Sequence, residues 1–287
     1  MAPIHHLNVT QLPLTGAKAS EPLDLSRTGM PALDTIHDDR TVIKPKTGGS
    51  YRILRTTEVD RYENNPAANA IRKATLGQKS PKLSDIRAAV KRPVNRGKGT
   101  AGDNYAGTDR KAAKLSIATG QVEEFADVAA LAEQLVPLVP KMMSLHISIK
   151  ADSGRVPEEQ RNIHFAKAFL YAASREADND FHLIVGCDPN SEDEVYMTME
   201  ISGLPPTNYP AFNDLNEART AFKTFFGQAN LPGAGYHYYH PPIPLDIQGS
   251  LFFDATHSKG QAPGPPSLKP NMPTIFELHP VSSIKLG

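Results

Sequence analysis

The chain has 287 residues, with 31 Lys and Arg against 31 Asp and Glu, so its formal charge is zero and no global field draws it to nucleic acid or an acidic membrane. Hydrophobic residues make up 39%, while 25 Pro and 20 Gly form roughly 16%, above the usual ~12% and below low-complexity chains; this describes a globular protein with long, stiffened loops and about two domains. Cys187 is the only cysteine, which excludes intrachain disulfides and four-thiolate zinc sites and leaves His, Asp and Glu for any metal.

The opening MAPIHHLNVTQLPL lacks the basic and apolar regions of a Sec signal. No stretch approaches the ~18 uninterrupted apolar residues of a membrane span, so the default expectation is a cytoplasmic protein with no membrane partner. Residues 1–50 carry Pro3, Pro13, Pro22, Pro31 and Pro45 with little periodicity, which predicts an extended arm. Residues 51–158 predict an irregular α+β region. Within it, residues 51–57 (YRILRTT) alternate as a strand and residues 82–90 (KLSDIRAAV) suit a short helix. Val122, Phe125, Ala129, Ala132 and Leu135 recur at helical spacing over 121–136, with Glu123, Glu124 and Asp127 in the first turns, where the helix dipole favours them. Pro137 and Pro140 end that helix, and residues 145–149 (LHISI) alternate as a strand.

Charge is unevenly distributed along this half. Residues 71–114 hold 12 Lys and Arg against 3 Asp and Glu, and residues 121–200 hold 6 against 15. Two such blocks attract each other within one molecule or between neighbours, and residues 72–98 are a candidate nucleic-acid patch, although four glycines dilute the basic block into what also reads as a solvated loop.

Residues 159–287 predict the clearest domain. Residues 163–173 and 181–187 form a hairpin across the polar turn 176–180, and residues 194–201 add a third strand. Leu215, Ala218, Phe222, Phe225 and Phe226 share one helical face over 214–226. A fourth strand at 243–254 carries Gly249 as a bulge or bend, and a fifth closes the chain at 275–284. This element order is that of the five-stranded OB barrel, although other small barrels and α+β sandwiches allow it, and the expected fold class is α+β: an antiparallel OB-like small barrel with one helix.

The chain contains no P-loop, GxGxxG, GxSxG, HExxH or EF-hand loop. Cys187 lies in an apolar strand and reads as a small hydrophobe. The YHYYH run at 236–240 either packs on the barrel or stacks on bases and sugars. The remaining chemistry is a set of polar residues in the C-terminal strands. Asp180 and His182 share a face at the start of the second strand, Asp254 and His257 mark the end of the fourth, and Glu277 and His279 share a face in the fifth. In an OB arrangement all six approach one barrel mouth. His182, His257 and His279 are then candidate ligands for zinc or another divalent metal, with Asp180, Asp254 and Glu277 orienting them or activating water. The same residues also suit simple hydrogen-bonded groups at strand ends.

The motifs READNDFHLIV at 175–185, GSLFFDATH at 249–257 and FELHPV at 276–281 resemble a group of uncharacterised bacterial proteins whose C-terminal domain carries a DxH hairpin, an FFDxxH strand and a closing E[IL]HPV strand. The resemblance spans about 120 of the 287 residues; Phe276 stands where that group usually has tryptophan, which keeps aromatic size and loses the indole donor. It implies the barrel domain and no particular reaction. The expected function is a binding or assembly protein, with a protein partner or self-association through the arm and charge blocks, and no cofactor is required for that. The alternative is a metal-dependent hydrolase or nuclease at the barrel mouth.

Overall fold

The structure is a computed structural model, and it describes residues 31, 36–37, 40–46, 48–59, 102–145, 149–254 and 263–287. Most of the arm, the 82–90 helix, the basic stretch 72–98, most of the 145–149 strand and His257 therefore lie outside the described residues.

Five strands close into a mixed barrel: β5 (Asn162–Arg175), β6 (Phe181–Gly186), β7 (Tyr196–Ile201), β8 (His237–Phe253) and β9 (Phe276–Leu286). Around the barrel the order is β5, β6, β7, β9, β8 and back to β5. The β5–β6–β7 meander and the β5–β8–β9 ladders are antiparallel, whereas β7 and β9 run parallel. That corrects the expectation of a wholly antiparallel barrel. Between β7 and β9 the chain passes through α4 (Phe212–Phe226) and then travels the full length of β8, so it returns in its original direction.

The long C-terminal strands follow from their composition. Leu183, Val185, Met197 and Met199 are fully buried, and the alternating side chains leave polar groups on the opposite face. Gly249 sits where the β8–β9 register shifts, the bulge expected from its place in an apolar strand. β8 starts earlier than its hydrophobic pattern suggests. His237, Tyr238, Tyr239 and His240 pair with Arg55, Leu54, Ile53 and Arg52 of β3 (Tyr51–Thr56). Pro241, Pro242 and Pro244 do not end the strand: Pro241 and Pro242 fall where the β5 register jumps, between Leu170 and Ala172, which accommodates residues lacking an N–H, and Pro244 pairs in register with Phe169.

Extra strands extend this sheet. β1 (Ile36–His37) and β2 (Val42–Ile43) pair with β3, and β4 (Val122–Phe125) runs parallel to β5 at the opposite edge. The helix expected over 121–136 is thus divided: its first half is β4, where Glu123 pairs with Arg161 and Glu124 with His164. The helix itself is α2 (Val128–Leu135), capped by Asp127, whose carboxylate accepts the Ala130 N–H at 2.9 Å. Pro137 opens a 3₁₀ turn and the chain continues as α3 (Val139–Leu145), so these prolines reshape the helical run without ending it. The run Val128–Leu145 is long and apolar enough to cross a membrane by length and composition alone, with a mean hydropathy of 1.2; Glu133, Gln134 and Lys141 interrupt it and only 28% of it is buried. One continuous apolar core joins β3, α2, α4 and the five barrel strands.

Candidate functional site

Cross-strand register determines which polar groups meet. His182 lies opposite Glu200, Ile184 opposite Thr198, Met199 beside Leu278, and Phe252 opposite Glu277. Because side chains alternate along a strand, His182, Thr198, Glu200, Phe252, Glu277 and His279 share one sheet face, with Leu183, Met199, Leu251 and Leu278 on the other.

The segment 102–120, which contains α1 (Lys111–Lys114), covers this polar face. At one end the Tyr105 N–H donates to the Leu204 carbonyl at 2.9 Å, the Ala106 N–H to the Asp178 carbonyl at 2.8 Å, and the Asn179 amide to the Asn104 carbonyl at 2.7 Å. At the other, the Ala118 N–H donates to Ser250 Oγ at 2.8 Å, and the Asn162 amide donates to the carbonyls of Ala118 and Gly120. The approach is close: a Cβ on Gly203 would lie 2.7 Å from Tyr105 Cα. Arg110 forms a two-pronged buried pair with Glu159, both contacts at 2.7 Å, while the Arg155 guanidinium donates to the carbonyls of Ala113, Ser116, Leu251 and His279.

Beneath this roof, Asp180, Glu200, Glu277 and His279 converge. Asp180 Oδ1 accepts the Gly203 N–H at 2.6 Å, and Asp180 Oδ2 lies 3.4 Å from His279 Nε2. His279 Nδ1 is 2.9 Å from Glu200 Oε2 and 3.2 Å from Glu277 Oε1. Asp180 and His279 are 0% exposed, Glu277 1% and Glu200 5%. Suitable atoms of Asp180, Glu200 and His279 all lie within 4.8 Å of one another, a set able to hold a metal ion.

The electrostatics divide the carboxylates. Burial pushes Glu277 upward and the neighbouring Glu200 charge adds to it, bringing its pKa to about 7. Burial also opposes ionisation of Glu200, but the charges of His279 and Lys114 outweigh it and hold Glu200 well below the usual carboxylate range. For His279, burial works against protonation and Glu200 overcomes it, raising its pKa well above the ordinary histidine value. Lys114 behaves similarly: burial lowers its pKa, yet Glu200, Asp180, Asp178 and Glu277 together raise it.

Of the six residues singled out in the sequence, the five that the structure describes therefore separate. Asp180, Glu277 and His279 meet. His182 belongs to an adjoining network, with Nδ1 3.4 Å from Glu176 and 3.2 Å from the Tyr236 hydroxyl, and Nε2 3.2 Å from Thr198 Oγ1. The i, i+2 rule misleads for Asp180 and His182 because Asp180 precedes β6 and takes its direction from the turn. Asp254 is buried at the end of β8, close enough for its charge to raise Glu277. The tyrosines of the YHYYH run are buried in and beside β8, which favours packing over stacking on a ligand. Glu200 and Lys114 were not anticipated. Glu200 had a signal, as the lone carboxylate within an apolar strand directly opposite His182; Lys114 had none, being one of 12 basic residues in a block that reads as solvated.

Comparison of the chain with protein-family models, with curated proteins and with solved structures finds no match.

Proposed function

We propose that this chain is a binding or assembly protein built on an OB-like barrel, and that the partner is a second copy of itself. Support for the OB-like reading comes from the circular strand order, first–second–third–fifth–fourth, with a helix between the third and fourth strands.

The observation that carries the binding reading is a small exposed apolar spot beside a sheet edge, since most other apolar residues of the run Val128–Leu145 pack on the core. Val136 is 42% exposed and, on the neighbouring strand β4, Val122 is 46% exposed. Among the described residues β4 pairs with β5 alone, so its outer edge offers backbone groups for a further strand. Exposed Glu124 and Glu133 border this surface, which gives it the charge a basic partner complements. The basic stretch 72–98 of another copy has that charge.

The alternative, a metal-dependent hydrolase or nuclease at the barrel mouth, has less support. A catalytic metal needs a position open to substrate, and the Asp180–Glu200–His279 set is buried under segment 102–120. Light scattering over a salt series tests the assembly reading. A mass above the monomer is expected at low salt, falling as salt rises and falling also in a Val136→Glu variant. A strict monomer at all ionic strengths overturns it.

A further inference from the structure

We propose that Asp180, Glu200 and His279 bind a divalent transition-metal ion of the zinc class in a closed structural site that ties β6, β7 and β9 together. The set differs from the three histidines picked out by sequence, and it does not depend on the assembly reading.

Three observations support it. First, one ligand atom from each residue lies within 4.8 Å of the others. Second, buried polar atoms at this centre have no hydrogen-bond partner. Asp180 Oδ2 and His279 Nε2 meet as an ion pair at 3.4 Å but have no conventional hydrogen bond, and Glu277 Oε2 makes none. Buried polar atoms are almost always hydrogen-bonded, so three atoms short of one at a single point leave room for a further partner. The spacing suits an ion: two ligands each about 2.1 Å from a metal and about 108° apart at it would be about 3.4 Å from each other. Third, the surroundings fit. Nδ1 of His279 faces two carboxylates, Glu200 Oε2 at 2.9 Å and Glu277 Oε1 at 3.2 Å, so with Glu200 turned to the ion Glu277 would remain as the outer contact that orients a metal-bound histidine.

The donor set is one nitrogen and carboxylate oxygens, with no thiolate, which suits zinc or a neighbouring first-row ion. Each ligand comes from a different strand or its entry, so the ion would cross-link β6, β7 and β9 where β7 and β9 share only one paired position.

The test uses the full-length chain. It is stripped with chelator, dialysed against Zn²⁺ alone, and followed by metal analysis and thermal unfolding. The expected result is about one bound equivalent, a lower Tm after stripping, and recovery on adding Zn²⁺. Asp180→Asn keeps the acceptor for the Gly203 N–H and should weaken Zn²⁺ binding at least ~10-fold, the scale on which individual metal-site contacts act. His164→Gln, which alters the surface cluster of His164, Glu124 and Asp246, should leave binding unchanged. Absence of Zn²⁺ binding by the stripped wild type, or an unchanged Tm on stripping and reloading, overturns the proposal. So does Zn²⁺ affinity in a folded Asp180→Asn equal to that of the wild type, or loss of the zinc in His164→Gln. If Asp180→Asn does not fold, the wild-type series decides alone.

Discussion

At the scale of single residues, the distinction that matters is whether a charge is partnered inside the fold or at its surface. His164 is a surface example. Its Nδ1 lies 2.6 Å from Glu124 and its Nε2 3.1 Å from Asp246, so one imidazole joins β4, β5 and β8. Partial burial lowers its pKa, and the two carboxylates reverse this to leave it above the usual value. A folded-state pKa above the unfolded one means that the fold favours the protonated ring. The stabilisation is complete below about pH 6.5 and is lost as pH rises through the raised folded value. The Tm difference between wild type and His164→Gln should therefore be positive near pH 5 and shrink towards pH 9. A difference independent of pH would show that the two contacts do not stabilise the charged ring.

At the scale of elements, the two strands with the most irregular sequences form the centre of the sheet. β8 contains three prolines and a glycine, and β9 contains Pro280, yet both pair along much of their length because all these breaks except Pro244, which pairs with Phe169, fall at register shifts. Gly249 allows one such shift: a Cβ there would lie 2.9 Å from the Pro280 carbonyl oxygen and 3.0 Å from Leu278 Cβ. Backbone cannot move aside as a flexible side chain can, so Gly249→Val should cost about 1–3 kcal/mol, the usual scale for overpacking. Urea unfolding measures it, and a loss below about 0.5 kcal/mol, the ordinary range of surface substitutions, would show that the bulge tolerates a side chain. The two strand patterns were partly legible. Residues 51–57, 163–173, 181–187 and 194–201 match β3, β5, β6 and β7 closely, because they are apolar or alternating runs bounded by polar turns. The YHYYH segment was not legible as strand, since its prolines and polar rings carry no period-two signal.

At the scale of the molecule, the question is whether the barrel stands alone. The sequence suggested boundaries at 50 and 158, but β3 is hydrogen-bonded to β8 and shares its apolar core. Segment 102–120 also supplies Arg110 to buried Glu159 and Lys114 to the carboxylate cluster. Breaking a buried pair by removing one partner costs about 3–5 kcal/mol, a large share of the ~5–15 kcal/mol that holds a typical protein folded. A fragment of residues 159–287 should accordingly show no cooperative thermal transition by circular dichroism. A sharp transition close to that of the whole chain would establish the barrel as autonomous.

Composition and local pattern by themselves determined the class of this protein. A chain with one cysteine, no catalytic signature and five alternating or apolar segments around one amphipathic helix already implied a disulfide-free barrel, and pairs such as Glu277 and His279 marked where its polar chemistry lies. Those are short-range properties, set by side-chain alternation and helical spacing. Only the tertiary structure decided that β7 and β9 run parallel, that Glu200 joins Asp180 and His279 while His182 does not, and that Lys114 completes the cluster from a segment that reads as solvated. The physical reason is that register and covering contacts are long-range. A shift of one residue in a strand exchanges its two faces, and no local pattern records which distant segment lies across one of them.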